Sequence, residues 1–285
     1  MRITDTHRPD GKRVVMTEMT VQEYARAFDL PVKSNAESAH YAKNAEGFAT
    51  HWTGDIKSHA QARAYLETGW SAGAARLGDM VRAVDVSAAR CRRRVGRWSD
   101  DGQDLDVDRA MRGDDRSWRM TTRQWSAGPM VVDLIGFFGG NCGRSAEAMF
   151  WSGATCVVLA DLLEQAGYGV RLLACNLVHS NVNAGQSLVT IVLKEESEPV
   201  RIDALASVMC HAGTYRTHGF HVTCHQPLEL GWGLGQNIGD WDDNRDPSAT
   251  LATFGLGEAA IKVSQAESLP ACKAEIERVL KSLVH

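Results

Sequence analysis

The sequence predicts an α/β fold: a mostly parallel sheet with helices on both faces, in three layers, preceded by an N-terminal helical region. Three observations carry this. Met130–Phe138 is an apolar run broken only by Asp133 and Gly136, with Ser126-Ala127-Gly128-Pro129 before it and Gly139-Gly140-Asn141 after it, as expected of a buried strand. From Ser145 to about Gln165 the apolar positions cover most of a helix's circumference, so that helix packs on more than one side. Gly169–Val178 and Ser187–Leu193 then read as two more strands, and strands alternating with helices imply a parallel sheet covered on both faces.

Taken in chain order, residues 1–125 read as a helical region and connector, and residues 126–285 as the α/β core domain. Residues 1–50 are polar and mixed, with a helix from about Val21 to Phe28 that Leu30-Pro31 ends, and a second helical stretch at Ala36–Ala45. Ala62, Tyr65 and Leu66, then Ala74, Ala75, Leu77, Met80 and Val81, recur at helical spacing on either side of Gly69-Trp70. They predict two amphipathic helices joined by a tight turn. Within the core, Ser145 is placed to cap its helix, Glu147 sits in the positive first turn and Gly167 terminates it. The loop His179–Gly185 joins the second and third strands. A helix from Asp203 to about His211 follows, then a short strand at Gly219–Cys224 with Phe220, Val222 and Cys224 on one face, and Glu267–Leu283 closes the chain as an amphipathic helix.

Composition narrows the function classes. With 285 residues, 44% hydrophobic and 23% charged, the chain is an ordinary globular protein with room for one large core. The net charge of −4 supplies no general attraction to nucleic acid or anionic lipid, so any such contact must be local. No run of about 18 apolar residues is present to span a bilayer, and the start Met-Arg-Ile-Thr-Asp is not of signal-peptide type, which predicts a cytoplasmic protein without membrane partners. Seven scattered cysteines without a CxxC pair read as free and reduced.

Several blocks resemble an uncharacterised family encoded by tailed bacteriophages and related mobile elements. They are Gly69-Trp70-Ser71-Ala72-Gly73, Leu105–Asp114, Trp151-Ser152-Gly153-Ala154 through Asp161-Leu162-Leu163-Glu164, Gln165–Val170, and Tyr215-Arg216 ahead of Gly219-Phe220. The resemblance spans about residues 50 to 235 and implies lineage, with the host cytoplasm or the virion as location. The strand order, with a hairpin between the second and third strands, is similar to a von Willebrand factor A domain. That fold binds a divalent cation through Asp-x-Ser-x-Ser after the first strand, because a carboxylate and two hydroxyls are hard oxygen ligands. Here the loop is Phe138-Gly139-Gly140-Asn141-Cys142-Gly143-Arg144-Ser145, with no Asp and a single hydroxyl. A degenerate, metal-free version of the site is expected.

Gly139, Gly140, Asn141, Gly143, Arg144 and Ser145 are the first candidate site, for an anion or a protein partner. A glycine-rich turn into a helix points N–H groups at an anion, but Phe138 stands where a P-loop needs Gly and Arg144 where it needs Lys. Cys142 is the only cysteine at a strand–helix elbow, and no histidine partner is placed for it. The alternative site is Arg92, Arg93, Arg94, Arg97 and Trp98, a basic segment with an aromatic that suits nucleic acid; the acidic stretch Ser99–Asp108 follows at once and favours self-pairing. Cys210, His211, His218, His221, Cys224 and His225 suggest zinc by composition, but in a strand His221 and His225 would lie ~13 Å apart. Asp240, Asp242, Asp243, Asn244 and Asp246 begin like a calcium loop and lack its Gly and its closing Glu. The sequence therefore favours a non-enzymatic binding or assembly protein that takes a protein partner or a second copy, with a virion structural component and a nucleic-acid-binding protein as alternatives, and it implies neither metal nor cofactor.

Overall fold

The computed structural model describes residues 1–31, 50–83, 95–100, 102, 104–122, 131–141, 143–231, 234–238, 247–256 and 260–283. The chain opens with strands β1 (Arg2–His7) and β2 (Arg13–Thr20), helix α1 (Val21–Ala25) and a 3-10 turn at Ala27–Asp29. Helices α2 (Thr50–Thr53), α3 (His59–Thr68) and α4 (Ser71–Ala83) follow. Next comes a small unit of β3 (Val95–Ser99), β4 (Asp104–Leu105), helix α5 (Val107–Met111) and β5 (Trp118–Thr122), whose three strands pair antiparallel in the order β3-β5-β4.

The central run is β6 (Val131–Phe137), α6 (Ala146–Gln165), β7 (Gly169–His179), β8 (Gln186–Lys194) and α7 (Ile202–Met209). Helix α8 (Ala212–Thr214), a π-helix at Tyr215–Gly219 and α9 (Phe220–His225) continue one another, because Thr214, Gly219 and Phe220 all keep right-handed helical backbone. Strand β9 (Gln236–Ile238), helix α10 (Pro247–Thr253), strand β10 (Ile261–Val263) and helix α11 (Leu269–Ser282) complete the described elements.

The main sheet has seven strands in the order β1-β2-β8-β7-β6-β10, with β9 pairing the end of β7 beyond β6. Strands β7, β6 and β10 are mutually parallel, and β2 is parallel to β8. The β7–β8, β1–β2 and β7–β9 pairs are antiparallel, so the sheet is mixed as a whole. The short loop 180–185 forces β8 to return antiparallel to β7, because parallel neighbours need a crossover of a dozen residues or so.

Alternation along β6 and β7 splits their side chains between two cores. Val132, Leu134, Val170, Leu172 and Ala174 join the larger one, under α6, α7, α4 and α11. Ile135, Phe137, Leu173, Cys175 and Leu177 face the smaller one, which Leu251 of α10 helps cover. Ser145 caps α6 by accepting from the Ala148 N–H at 3.1 Å, and Gly167 ends its turn at φ +98°. By length and composition α6 would also suit a membrane, but 72% of its most apolar window is buried inside the fold.

Two sequence expectations need correction. Residues 1–20 are extended and not a peripheral helical region: β2 lies beside β8 with Val14, Val15 and Met16 buried. The Asp10-Gly11 turn closes the β1–β2 hairpin, with Gly11 at φ +84° and Arg8 N–H donating to the Lys12 carbonyl at 2.8 Å. Leu66, Leu77 and Met80 of α3 and α4 also share the larger core, so a boundary at residue 126 would cut through one core. Second, Gly219–Cys224 is helical, not a strand. His221, Val222, Thr223, Cys224 and His225 are all buried, so polarity marks no face there and the short Phe-x-Val-x-Cys alternation is coincidental. The Ala36–Ala45 stretch lies outside the described residues.

Candidate functional site

The Gly139–Ser145 loop leaves the sheet where β6 ends and β9 takes over pairing with β7. Phe138 N–H still donates to the Cys175 carbonyl at 2.9 Å, after which Gly139 turns at φ +95°. A Cβ at Gly139 would strike the Tyr215 ring, so the backbone passes directly beneath that aromatic. Asn141, Gly143 and Ser145 are exposed, while Arg144 is mostly covered; Cys142 lies outside the described residues. Arg144 turns away from the start of α6, donating to the Gln265 side chain and pairing with Glu267 at 3.3 Å. Gln265 in turn donates to the Phe137 carbonyl at 3.3 Å, which ties the segment after β10 to the end of β6.

Behind the loop lies Arg216 of the π-helix, with 0% exposure. Its guanidinium donates to the backbone carbonyls of Arg144 and Trp52, reaches the Asn141 carbonyl at 3.4 Å, and stacks over the Trp52 ring at 4.3 Å. The wider turn of a π-helix is a device commonly found at functional positions, and here it carries a fully buried cation. The inner side of the loop therefore offers carbonyl oxygens to an internal cation, the opposite polarity from the converging N–H groups that an anion requires. Tyr215, Asn176 and Asn237 complete the polar floor: Asn237 Nδ2 donates to Asn176 and lies 3.4 Å from the Tyr215 hydroxyl. Burial pushes the Tyr215 phenol up to about 12, so it stays protonated.

A second cluster joins His211, one of the titratable residues the sequence singles out, to Asp55 and Tyr65, which it does not. His211 Nδ1 accepts from the Gly213 N–H at 3.1 Å, so Nε2 carries the proton and donates to Asp55 at 2.6 Å. Tyr65 donates to the other Asp55 oxygen at 2.9 Å, and His211 is the main cause holding the Asp55 carboxyl below its usual range. With Nδ1 occupied by a backbone donor and Nε2 by a carboxylate, neither imidazole nitrogen is open to take a proton from a nucleophile. The cluster fixes the residue before α8.

Residues 218–225 are helical, so the strand spacing of the histidines does not apply. In a helix His218, His221 and His225 share one side, and that side faces residues 24–31. His221 Nε2 bonds the Leu30 carbonyl at 2.9 Å and His225 Nδ1 the Pro31 carbonyl at 2.6 Å. Phe28 packs on His59, His218 and His221 at centroid distances of 4.1, 4.8 and 4.6 Å. Among the described residues no group of three His, Cys, Asp or Glu side chains is arranged to hold a metal. Cys156, Cys175, Cys210, Cys224 and Cys272 are buried and in no disulfide, and desolvation raises the thiols of Cys156, Cys175, Cys210 and Cys272, which keeps them from acting as thiolates.

Arg97 and Trp98 fall on β3, an edge strand of the small sheet, where they pair with Met120 and Arg119 of β5. Arg92, Arg93 and Arg94 lie outside the described residues, as do Asp240–Asp246. Of the Gly231–Gly235 segment, Gly231, Leu234 and Gly235 are described, all with positive φ. Gly235 sits against the His179 carbonyl, which brings this loop over the end of β7 as it enters β9.

No curated protein and no solved structure matches the chain. Residues 13–281 match the family described as Domain of unknown function (DUF7192), covering both N-terminal strand β2 and closing helix α11, and the chain belongs to that family.

Proposed function

We propose that this is a non-enzymatic binding or assembly protein of a bacteriophage-like element, with a degenerate, metal-free von Willebrand A-like site whose Gly139–Ser145 loop meets a protein partner. The observation that carries the reading is the buried Arg216 guanidinium bonded to the carbonyls on the inner side of that loop. An internal cation and an Arg144 engaged with Gln265 and Glu267 make the loop a braced shape, with Asn141, Gly143 and Ser145 at its exposed surface. The β6–α6–β7 unit followed by antiparallel β8 supports the von Willebrand A-like part, and the resemblance to a phage-encoded family supports the lineage. A rigid surface binds without first losing the entropy of ordering a loop.

A photo-crosslinking residue at Asn141, with exposed Glu196 beyond the far end of β8 as control, tests the reading in cells that naturally make the chain. A discrete adduct from position 141 and none from 196 is the expected outcome. Identical patterns from both positions, or no adduct from 141, would sink it. Copy number in purified particles then separates an intracellular assembly factor from a virion component.

A further inference from the structure

We propose that the turn Ala27–Pro31 is an acid-released flap, closed over His218 while the histidines around Phe28 are neutral and lifted when they take up protons. The geometry is a cluster of imidazoles on one aromatic ring. Phe28 stacks on His59 of α3 with 4.1 Å between centroids, stands at right angles to His218 at 4.8 Å, and leans on His221 of α9 at 4.6 Å. Beyond that ring, His221 Nε2 and His225 Nδ1 bond the Leu30 and Pro31 carbonyls at 2.9 and 2.6 Å. Both nitrogens donate there, so a proton taken up elsewhere on the ring leaves these two bonds in place. What acid changes is the cost of keeping His218 dry, at 0% exposure.

The charged groups that act on His218 are basic: His59 and Arg63 from α3, and His221 from α9. Other titratable groups on the elements packed against this helical run are engaged elsewhere. Asp29 of the flap and Glu67 of α3 pair with Arg63 at 3.9 and 2.8 Å, while Glu23 of α1 holds the N-terminal amine. Tyr24 donates to the Thr214 carbonyl at 3.1 Å, Tyr65 and His211 bond Asp55, and Lys194 of β8 pairs with Glu164. Arg26, beside the flap, is exposed. A proton on His218 therefore enters a dry pocket with positive neighbours, and lifting Phe28 lets water in to solvate it. Covered, His218 is held at about 3; wet, it returns to about 6.5. Closure is thus fully supported above that higher value and weakens as pH falls toward the lower one.

Hydrogen exchange of the full chain tests the inference on the amides of Asp29 and Leu30, which donate to the Arg26 and Ala27 carbonyls. Rates are compared at about pH 7 and about pH 4.5, each divided by its intrinsic value. Protection at these two amides should fall by up to about 70-fold, the gain in opening that the two His218 values imply, while the amides of β7 keep theirs. His218→Phe should remove most of that loss. His59→Gln, at a half-buried position, should lessen it by deleting one positive neighbour, and it serves on its own should His218→Phe not fold. Equal protection at the two pH values overturns the inference, as does a loss that β7 shares or one that the folded variants leave unchanged. The flap lies on different elements from the Gly139–Ser145 loop, so its failure leaves the Asn141 crosslinking test standing, and the reverse also holds.

Discussion

Arg216 shows how one side chain can decide what a loop offers. Its guanidinium is fully buried and binds carbonyls from residues 52, 141 and 144, segments that nothing in their order along the chain would bring together. Replacing it with methionine keeps most of the apolar stem and removes every donor. The Trp52 and Arg144 carbonyls then lose the guanidinium as donor, while the Asn141 carbonyl keeps the Arg144 N–H at 3.0 Å, and Arg216→Met should lower stability by about 3 kcal/mol, since each buried hydrogen bond lost costs about 1–3 kcal/mol. A shift of the urea midpoint at constant m would measure this. Arg216→Lys should recover only part of the loss, because an ammonium lacks the planar fork that reaches several acceptors at once. A midpoint unchanged by Arg216→Met would mean the loop holds itself. Arginine after a tyrosine was visible in the sequence, but its burial was not: it depends on the π-turn that aims the side chain behind the loop.

At the scale of elements, the α1–Pro31 segment is fastened to the helical run 212–225 by titratable groups. Tyr24 donates to the Thr214 carbonyl at 3.1 Å, and His221 and His225 bond the Leu30 and Pro31 carbonyls. His218 beneath them is pushed down to about 3, first by burial and then by the charge of His59, with Arg63 and His221 adding in the same direction and a bond to the Ala25 backbone opposing them. The folded value lies below the unfolded value of about 6.5. Its neutral form therefore supports the fold fully above that pH, and the support is lost as pH falls toward 3. His218→Phe should flatten stability against pH between 6 and 4 by up to about 1.4 kcal/mol per unit, read from urea midpoints across that range. An unchanged slope would assign the acid sensitivity to other groups. These histidines stood out by composition. Their partners did not, because a helix buried on all sides carries no periodicity that reveals its type.

At the scale of the whole molecule, the main sheet takes its strands from both ends of the chain. Strand β2 covers the edge of β8 over Val14 to Thr20, and Met19 contributes to the larger core. A chain starting at residue 126 loses those strands and also Leu66, Leu77 and Met80, which leaves an apolar surface and an open strand edge. It should aggregate or fail to melt cooperatively, as light scattering and a thermal scan would show. A soluble fragment melting within a few degrees of the full chain would restore residues 1–125 as a separable region. The Asp10-Gly11 pair is a local turn signal for the N-terminal hairpin, set in a polar stretch that does not mark the strands on either side of it.

Sequence by itself determined the central elements: β6, α6 with its Ser145 cap and Gly167 stop, the β7–β8 hairpin, the α3–α4 pair broken at Gly69, and the closing helix. Each is marked by a long apolar pattern or by a residue whose backbone chemistry acts locally, and local chemistry is legible in one dimension. Only the tertiary structure decided that β1 and β2 join that sheet, that residues 215–225 wind as π- and α-helix, and that Arg216 rather than an outside ligand occupies the inner side of the loop. Those outcomes depend on which buried groups find partners across gaps of up to about two hundred residues, a matching of donors, acceptors and shapes that exists only once the chain has closed.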